Sequence, residues 1–137
     1  MNEKTLKRSF VLDTSALLAL RGDESGAGRV ETLLAQAKRQ QCRLLVSFMT
    51  RMEILYCVQR EEGEEAARDA LRLVDSFSIE WVSCDAAILD KASRIKASGR
   101  ISVADSWIAA TASVFSATLV HKDPEFESLA DIPQEFL

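Results

Sequence analysis

Four short apolar runs punctuate this chain, and each of the first three gives way to a stretch whose apolar residues recur at helical spacing. "SFVLD" precedes "TSALLALR", and after a break from Gly22 to Gly28, "RVETLLAQAKRQQ" sets Val30, Leu33, Leu34 and Ala37 on one helical face. "RLLVSF" leads into a helix opened by Thr50, "TRMEILYCVQREEG", and "EEAARDALRLVDSF" adds another amphipathic helix. "SIEWVSC" reads as a third strand, followed by "DAAILDKASRIKASG" with Asp85 as N-cap and Gly99 as stop. A helix rich in small residues, "SVADSWIAATASVF", and a fourth strand, "ATLVHKD", complete the order. This alternation predicts an α/β fold of three layers, α/β/α, with a mostly parallel sheet of four to five strands and right-handed crossovers.

The 137 residues suit one domain spanning 1–137, long enough to bury roughly two-thirds of the surface of the unfolded chain. There is no internal repeat and no low-complexity stretch, and the two prolines, Pro124 and Pro133, lie near the end. No apolar run approaches the roughly 20 residues of a membrane span, and "MNEKTLKRSF" is too polar for a signal peptide. A cytoplasmic protein with no membrane association is expected. Cys42, Cys57 and Cys84 are widely spaced among apolar neighbours, so they read as reduced core thiols rather than a disulfide framework or zinc cluster. The net charge of −4 argues against sequence-blind binding to a polyanion, so any nucleic-acid contact is local.

In open α/β sheets, sites form beyond the carboxyl ends of the strands. Four acids fall there: Asp13 after the first strand, Glu53 in the helix after the second, Asp105 in the first turn of the small-residue helix, and Asp123 beyond the fourth strand. Each also has a structural reading. "TRME" places Thr50 and Glu53 as a capping box, "SVAD" puts Asp105 at the third position of a similar signature, and "KDP" makes Asp123 a turn or cap residue. Asp13 can cap the following helix, although an ionised carboxylate after an apolar strand is costly to desolvate without a partner.

Capping does not explain why these acids gather on one rim while those of "QREEGEEAARD" look like solvated helix faces. Four carboxylates in one cleft repel one another, raise the pKa of some members and cost stability unless a cation is present. Mg²⁺ or Mn²⁺ answers this, since both prefer oxygen ligands and leave coordination positions for phosphate oxygens. His121 stands alone and reads as structural, and Trp81 and Trp107 read as core residues.

At these residues the chain resembles PIN-domain proteins, in particular the VapC-type ribonuclease toxins of toxin–antitoxin pairs. The matching pieces are "VLDTSALLAL", "VSFMTRMEILY", "ISVADSWIAATA" and "ATLVHKDPEF", and they cover nearly the whole chain in the family's order. The resemblance implies a PIN-like fold in which Asp13, Glu53, Asp105 and Asp123 bind Mg²⁺ or Mn²⁺ and carry catalysis, with Ser15 and Thr50 in support. Asp123 sits at the family's more variable position, and His121 occupies a place where threonine is commoner. It further implies hydrolysis of RNA phosphodiester bonds by a metal-activated water, a homodimer, and neutralisation by a cognate small antitoxin. Arg21, Arg51, Arg100 and Lys122, with Lys91 and Arg94, flank the acidic stretches as candidate RNA contacts.

Two rival readings have distinct signatures. A haloacid-dehalogenase-like phosphatase needs a second acid two residues after the first, where this chain has Ser15. A PIN-like binding module without catalysis is expected to have lost one or more of the four acids, and all four are present. An RNA-processing PIN nuclease outside a toxin–antitoxin pair has the same residues as the toxin.

Overall fold

The computed structural model describes residues 7–137; residues 1–6 of the polar opening, on which the reading against a signal peptide rests, lie outside the described residues. The order is β1 (Arg8–Leu12), α1 (Thr14–Arg21), α2 (Ala27–Lys38), β2 (Cys42–Ser47), α3 (Phe48–Glu62), α4 (Glu64–Asp75), β3 (Glu80–Val82), α5 (Ala86–Ser98), α6 (Val103–Val114) and β4 (Thr118–His121). A 3₁₀ turn (Pro124–Ser128) and β5 (Gln134–Phe136) follow. The strands form one five-stranded sheet in the order β3-β2-β1-β4-β5, and every pairing is parallel.

Alternate residues of the inner strands supply two separate cores. Phe10, Leu12, Leu44, Val46 and Val120 pack under the layer of α1 to α4, against Leu17, Val30, Leu33 and Ile54 among others. Val11, Leu45 and Leu119 face the opposite layer, where Ile88, Ile95 and Ile108 of α5 and α6 cover them. Burial on both faces is why these strands read as continuous apolar runs instead of alternating ones. The fold is therefore the three-layer α/β/α arrangement. The small side chains of α6 let that helix lie close on the sheet, with Ala109, Ala110 and Ala112 fully buried.

Local differences from the sequence reading have local causes. Within the break from Gly22 to Gly28, Gly26 supplies the left-handed turn before α2, at φ 94°, and a Cβ there would meet Leu137 Cβ at 2.7 Å. Gly28 lies inside the first turn. Thr50 does not open α3: Ser47 is the N-cap and accepts from the Met49 N–H at 3.2 Å, so the Thr50–Glu53 capping box does not form. Ser102 does cap α6, accepting from the Asp105 N–H at 3.1 Å, and Asp85 caps α5 through the Ile88 N–H at 2.9 Å.

The reading of all three cysteines as core thiols is corrected. Cys42 is buried, Cys57 half-buried and Cys84 exposed, because β3 ends at Val82 and leaves Cys84 in a loop; all three are free. Trp81 and Trp107 border the core instead of filling it, since both are half-buried. Trp81 donates through its indole N–H to Asp75, and Trp107 meets Phe48 edge-on at 5.3 Å. Among the described residues no helix is long and apolar enough to cross a membrane.

Candidate active site

The chain winds outward from β1 to β2 and β3, then returns to lay β4 and β5 on the other side of β1. The carboxyl ends of β1 and β4 thus flank the switch point of the sheet, where such folds open a crevice. Asp13 stands directly after β1. Its N–H donates to Val120 O at 3.0 Å, and its Oδ2 caps α1 by accepting from the Ser15 N–H at 3.0 Å and the Ser15 hydroxyl at 2.5 Å. Ser15 Oγ in turn accepts from the Lys122 N–H at 2.9 Å, tying Asp13 to the chain just past β4. Asp13 is buried, and its second oxygen, Oδ1, has no hydrogen-bond partner. Burial pushes its pKa up against the lowering effect of the Ser15 bonds.

Without a capping box, Glu53 has another partner. The Thr14 hydroxyl donates to Glu53 Oε1 at 2.6 Å and shares a 3.0 Å hydrogen bond with the Thr50 hydroxyl. With its single proton committed to Glu53, Thr14 accepts from Thr50. Thr50 is fully buried and Thr14 nearly so, which fixes this hydroxyl pair beneath the carboxylate. Burial raises the pKa of Glu53, Thr14 opposes that, and the charges of Asp13 and Asp123 add to it.

The facing wall comes from α6 and the 3₁₀ turn. Asp105 projects from the first turn of α6, and Asp123 caps the 3₁₀ turn by accepting from the Glu125 N–H at 2.9 Å. Glu125 accepts from the Ser102 N–H, so it takes the reciprocal part of the capping arrangement that the sequence assigns within "SVAD". Carboxylate oxygens of Asp105, Asp123 and Glu125 lie within 4.8 Å of one another. The pKa of Asp105 is pushed up to about 8, by burial first and then by the charges of Asp13, Asp123 and Glu125.

Two residues of this site, Thr14 and Glu125, are absent from the sequence reading. Glu125 follows Asp123 by two positions, and Thr14 is next to Asp13; adjacency was the available signal. Neither Asp13 nor Glu53 is one of the three acids whose oxygens converge. A hard divalent cation fits what is present. The donors are carboxylate oxygens with no sulfur or imidazole, a buried Asp13 oxygen has no partner, and like charges raise the protonation of their neighbours.

The basic candidates divide. Arg21 is held by Glu62 at 2.5 Å, Arg94 by Asp90 at 2.9 Å, and Arg51 by Asp75 at 3.0 Å while lying over Trp81. Lys122 stands 3.5 Å from Glu24. Among the described residues Arg100 and Lys91 form no ion pair. Arg100 shares a surface depression with Glu125, which none of Asp13, Glu53, Asp105 and Asp123 lines.

A family model described as PIN domain matches residues 10–132. Comparison with curated proteins gives no match. Among solved structures, the DNA-bound VapBC complex of Salmonella typhimurium aligns with a TM-score of 0.75 at 20% identity, covering 94% of this chain and 98% of the other. VapBC2 from Rickettsia felis, bound to a DNA fragment from its promoter, gives 0.74 at 20% identity over 93% and 98%. VapC20 of Mycobacterium tuberculosis, described as a sarcin–ricin-loop-cleaving toxin, gives 0.69 at 17% identity over 88% and 94%. At these identities the likeness is one of fold.

Proposed function

From the premise that the chain belongs to the PIN-domain family, we propose that it is a VapC-type, Mg²⁺- or Mn²⁺-dependent endoribonuclease, the toxin of a type II toxin–antitoxin pair in the cytoplasm. The observation that supports this reading is the convergence of Asp105, Asp123 and Glu125, together with the buried Asp13 at the end of β1, whose Oδ1 has no hydrogen-bond partner and whose charge helps raise the pKa of Asp105. Asp13, Asp105 and Asp123 hold the cation, and Glu125 adds a fourth carboxylate. When bound, the ion supplies positive charge for the phosphate in the transition state and lowers the pKa of a water.

The chain's own residues do the rest. Ser15 keeps Asp13 oriented from both its amide and its hydroxyl, so that Oδ2 is occupied and Oδ1 is left without a hydrogen-bond partner. Thr14 and Thr50 fix Glu53, whose carboxylate is assigned to take a proton from the attacking water. Arg100, which shares a surface depression with Glu125 and forms no ion pair among the described residues, is the basic side chain we assign to an RNA phosphate. Arg21 and Arg51 serve first as partners of Glu62 and Asp75, and Lys122 contributes to the site through its main-chain N–H to Ser15. A homodimer and a small antitoxin whose segment covers the acidic cleft complete the proposal.

The test is cleavage of a structured RNA in Mn²⁺ or Mg²⁺ and in chelator, comparing the parent protein with Asp13→Asn. Metal-dependent cutting that disappears in the variant is the expected result. Equal background in both proteins would leave a binding module without catalysis.

A further inference from the structure

We infer that His121 is a positioning residue for Asp123, a neutral ring fixed as the Nε2–H tautomer between the Asp123 amide and the Gln134 side chain. The inference rests on the function proposed above for Asp123. His121 ends β4 and is fully buried, with its ring between Phe126 at 4.9 Å and Phe136 at 5.3 Å between centroids. Both ring nitrogens are committed. Nδ1 accepts from the Asp123 N–H at 3.1 Å, so it carries a lone pair and the ring proton resides on Nε2. Nε2 lies 2.8 Å from Gln134 Oε1.

The Gln134 amide reads the same way from its other end. Its Nε2 donates to Phe126 O at 2.8 Å and Leu129 O at 3.0 Å, so the amide cannot be turned over without setting an oxygen against two carbonyls. Its Oε1 therefore faces the ring as an acceptor, which requires a donor at His121 Nε2. The two assignments agree independently.

This pair grips both ends of one short segment. The ring accepts from the N–H two residues ahead, as a short polar side chain does in a turn, and so aims the chain where it leaves the sheet at Asp123. Gln134 fastens the 3₁₀ turn at the carbonyl of Phe126 within it and of Leu129 just after it. Asp123, cap of that turn, is thereby set against Asp105 and Glu125 from below, by groups that touch neither substrate nor ion. A buried histidine with a merely structural role would fill the same space without holding the Asp123 main-chain N–H.

The test compares His121→Phe, His121→Asn and, as a remote core control of the α4 layer, Val74→Ala. Mn²⁺ affinity is measured by calorimetry, Asp123 amide exchange and the His121 tautomer by ¹⁵N NMR, and thermal stability in chelator. His121→Phe is expected to weaken Mn²⁺ binding by about tenfold or more, as loss of an outer-shell partner does, and to speed Asp123 amide exchange. His121→Asn, whose side-chain oxygen can take the place of Nδ1, is expected to recover most of both. Val74→Ala should lower the melting temperature with Mn²⁺ affinity unchanged. Should His121→Phe not fold, Gln134→Met removes the Nε2 partner and carries the same expectations. An Nδ1–H tautomer in the parent, or Mn²⁺ affinity that simply follows melting temperature across all variants, overturns the inference. A parent that binds no Mn²⁺ sinks the nuclease reading instead, and the tautomer and amide exchange still decide the role of His121.

Discussion

The two walls of the acidic cleft raise their carboxyl pKa values in different ways. On the wall from β1, α1 and α3, burial lifts Asp13 and Glu53, hydroxyls of Ser15 and Thr14 pull them back, and neighbouring carboxylates add only a smaller lift. On the wall from α6 and the 3₁₀ turn, burial lifts Asp105 and the charges of Asp13, Asp123 and Glu125 lift it further. The first wall is therefore a preorganised holder. The second is left in conflict, and the conflict is relieved by protonation or by a cation.

Removing charge from the second wall is the largest way to break this comparison. Asp105→Asn is expected to reduce Mn²⁺-dependent RNA cleavage by at least about 100-fold, the upper end for outer-shell losses. In chelator the same variant should unfold at no lower temperature than the parent, because it deletes a repelled charge. Weakening the first wall is next. Thr14→Val should lower cleavage by roughly 10–100-fold through loss of Glu53 orientation, and urea unfolding should register the missing hydrogen bond at about 1 kcal/mol.

The contrast has a pH signature. A carboxyl whose pKa rises from 3.8 unfolded to about 8 folded favours folding fully below about pH 4, and that contribution is lost as pH climbs towards 8. Asp13 and Glu53 shift in the same direction. The melting temperature of the metal-free protein should therefore fall between pH 5 and about 8, with a shallower fall in Asp105→Asn, and Mn²⁺ affinity should rise over the same interval. A flat profile in the parent would mean that the second wall is not in conflict. The smallest effects concern the border. Arg100→Ala should raise the KM for RNA by a few-fold and reduce its salt dependence, whereas Arg51→Ala should change cleavage less than about twofold, since its ion pair with Asp75 is exposed.

Much of this was legible in the sequence because buried parallel strands write themselves as unbroken apolar runs, and the acids at their ends stand out against them. Asp13 and Asp123 were visible for that reason, and Asp105 through the helix-start signature of "SVAD". Other features depend on contacts between distant segments. Ser47 looked like the end of a strand, and only the chain's turn into α3 makes it the cap, which transfers Glu53 from Thr50 to Thr14. Glu125 reads as a turn residue until folding brings it to Ser102, 23 positions away. β5 has no apolar signature, and is held by pairing with β4 and by Glu135 against Arg29 at 2.6 Å.

Asp13 combines two duties in one side chain, and its two oxygens divide them. Asparagine can keep the helix start through its remaining oxygen, whereas alanine loses the start and the charge together. An alanine scan of this protein would thus mistake a misfolded first helix for a dead site at the one position where the distinction matters most.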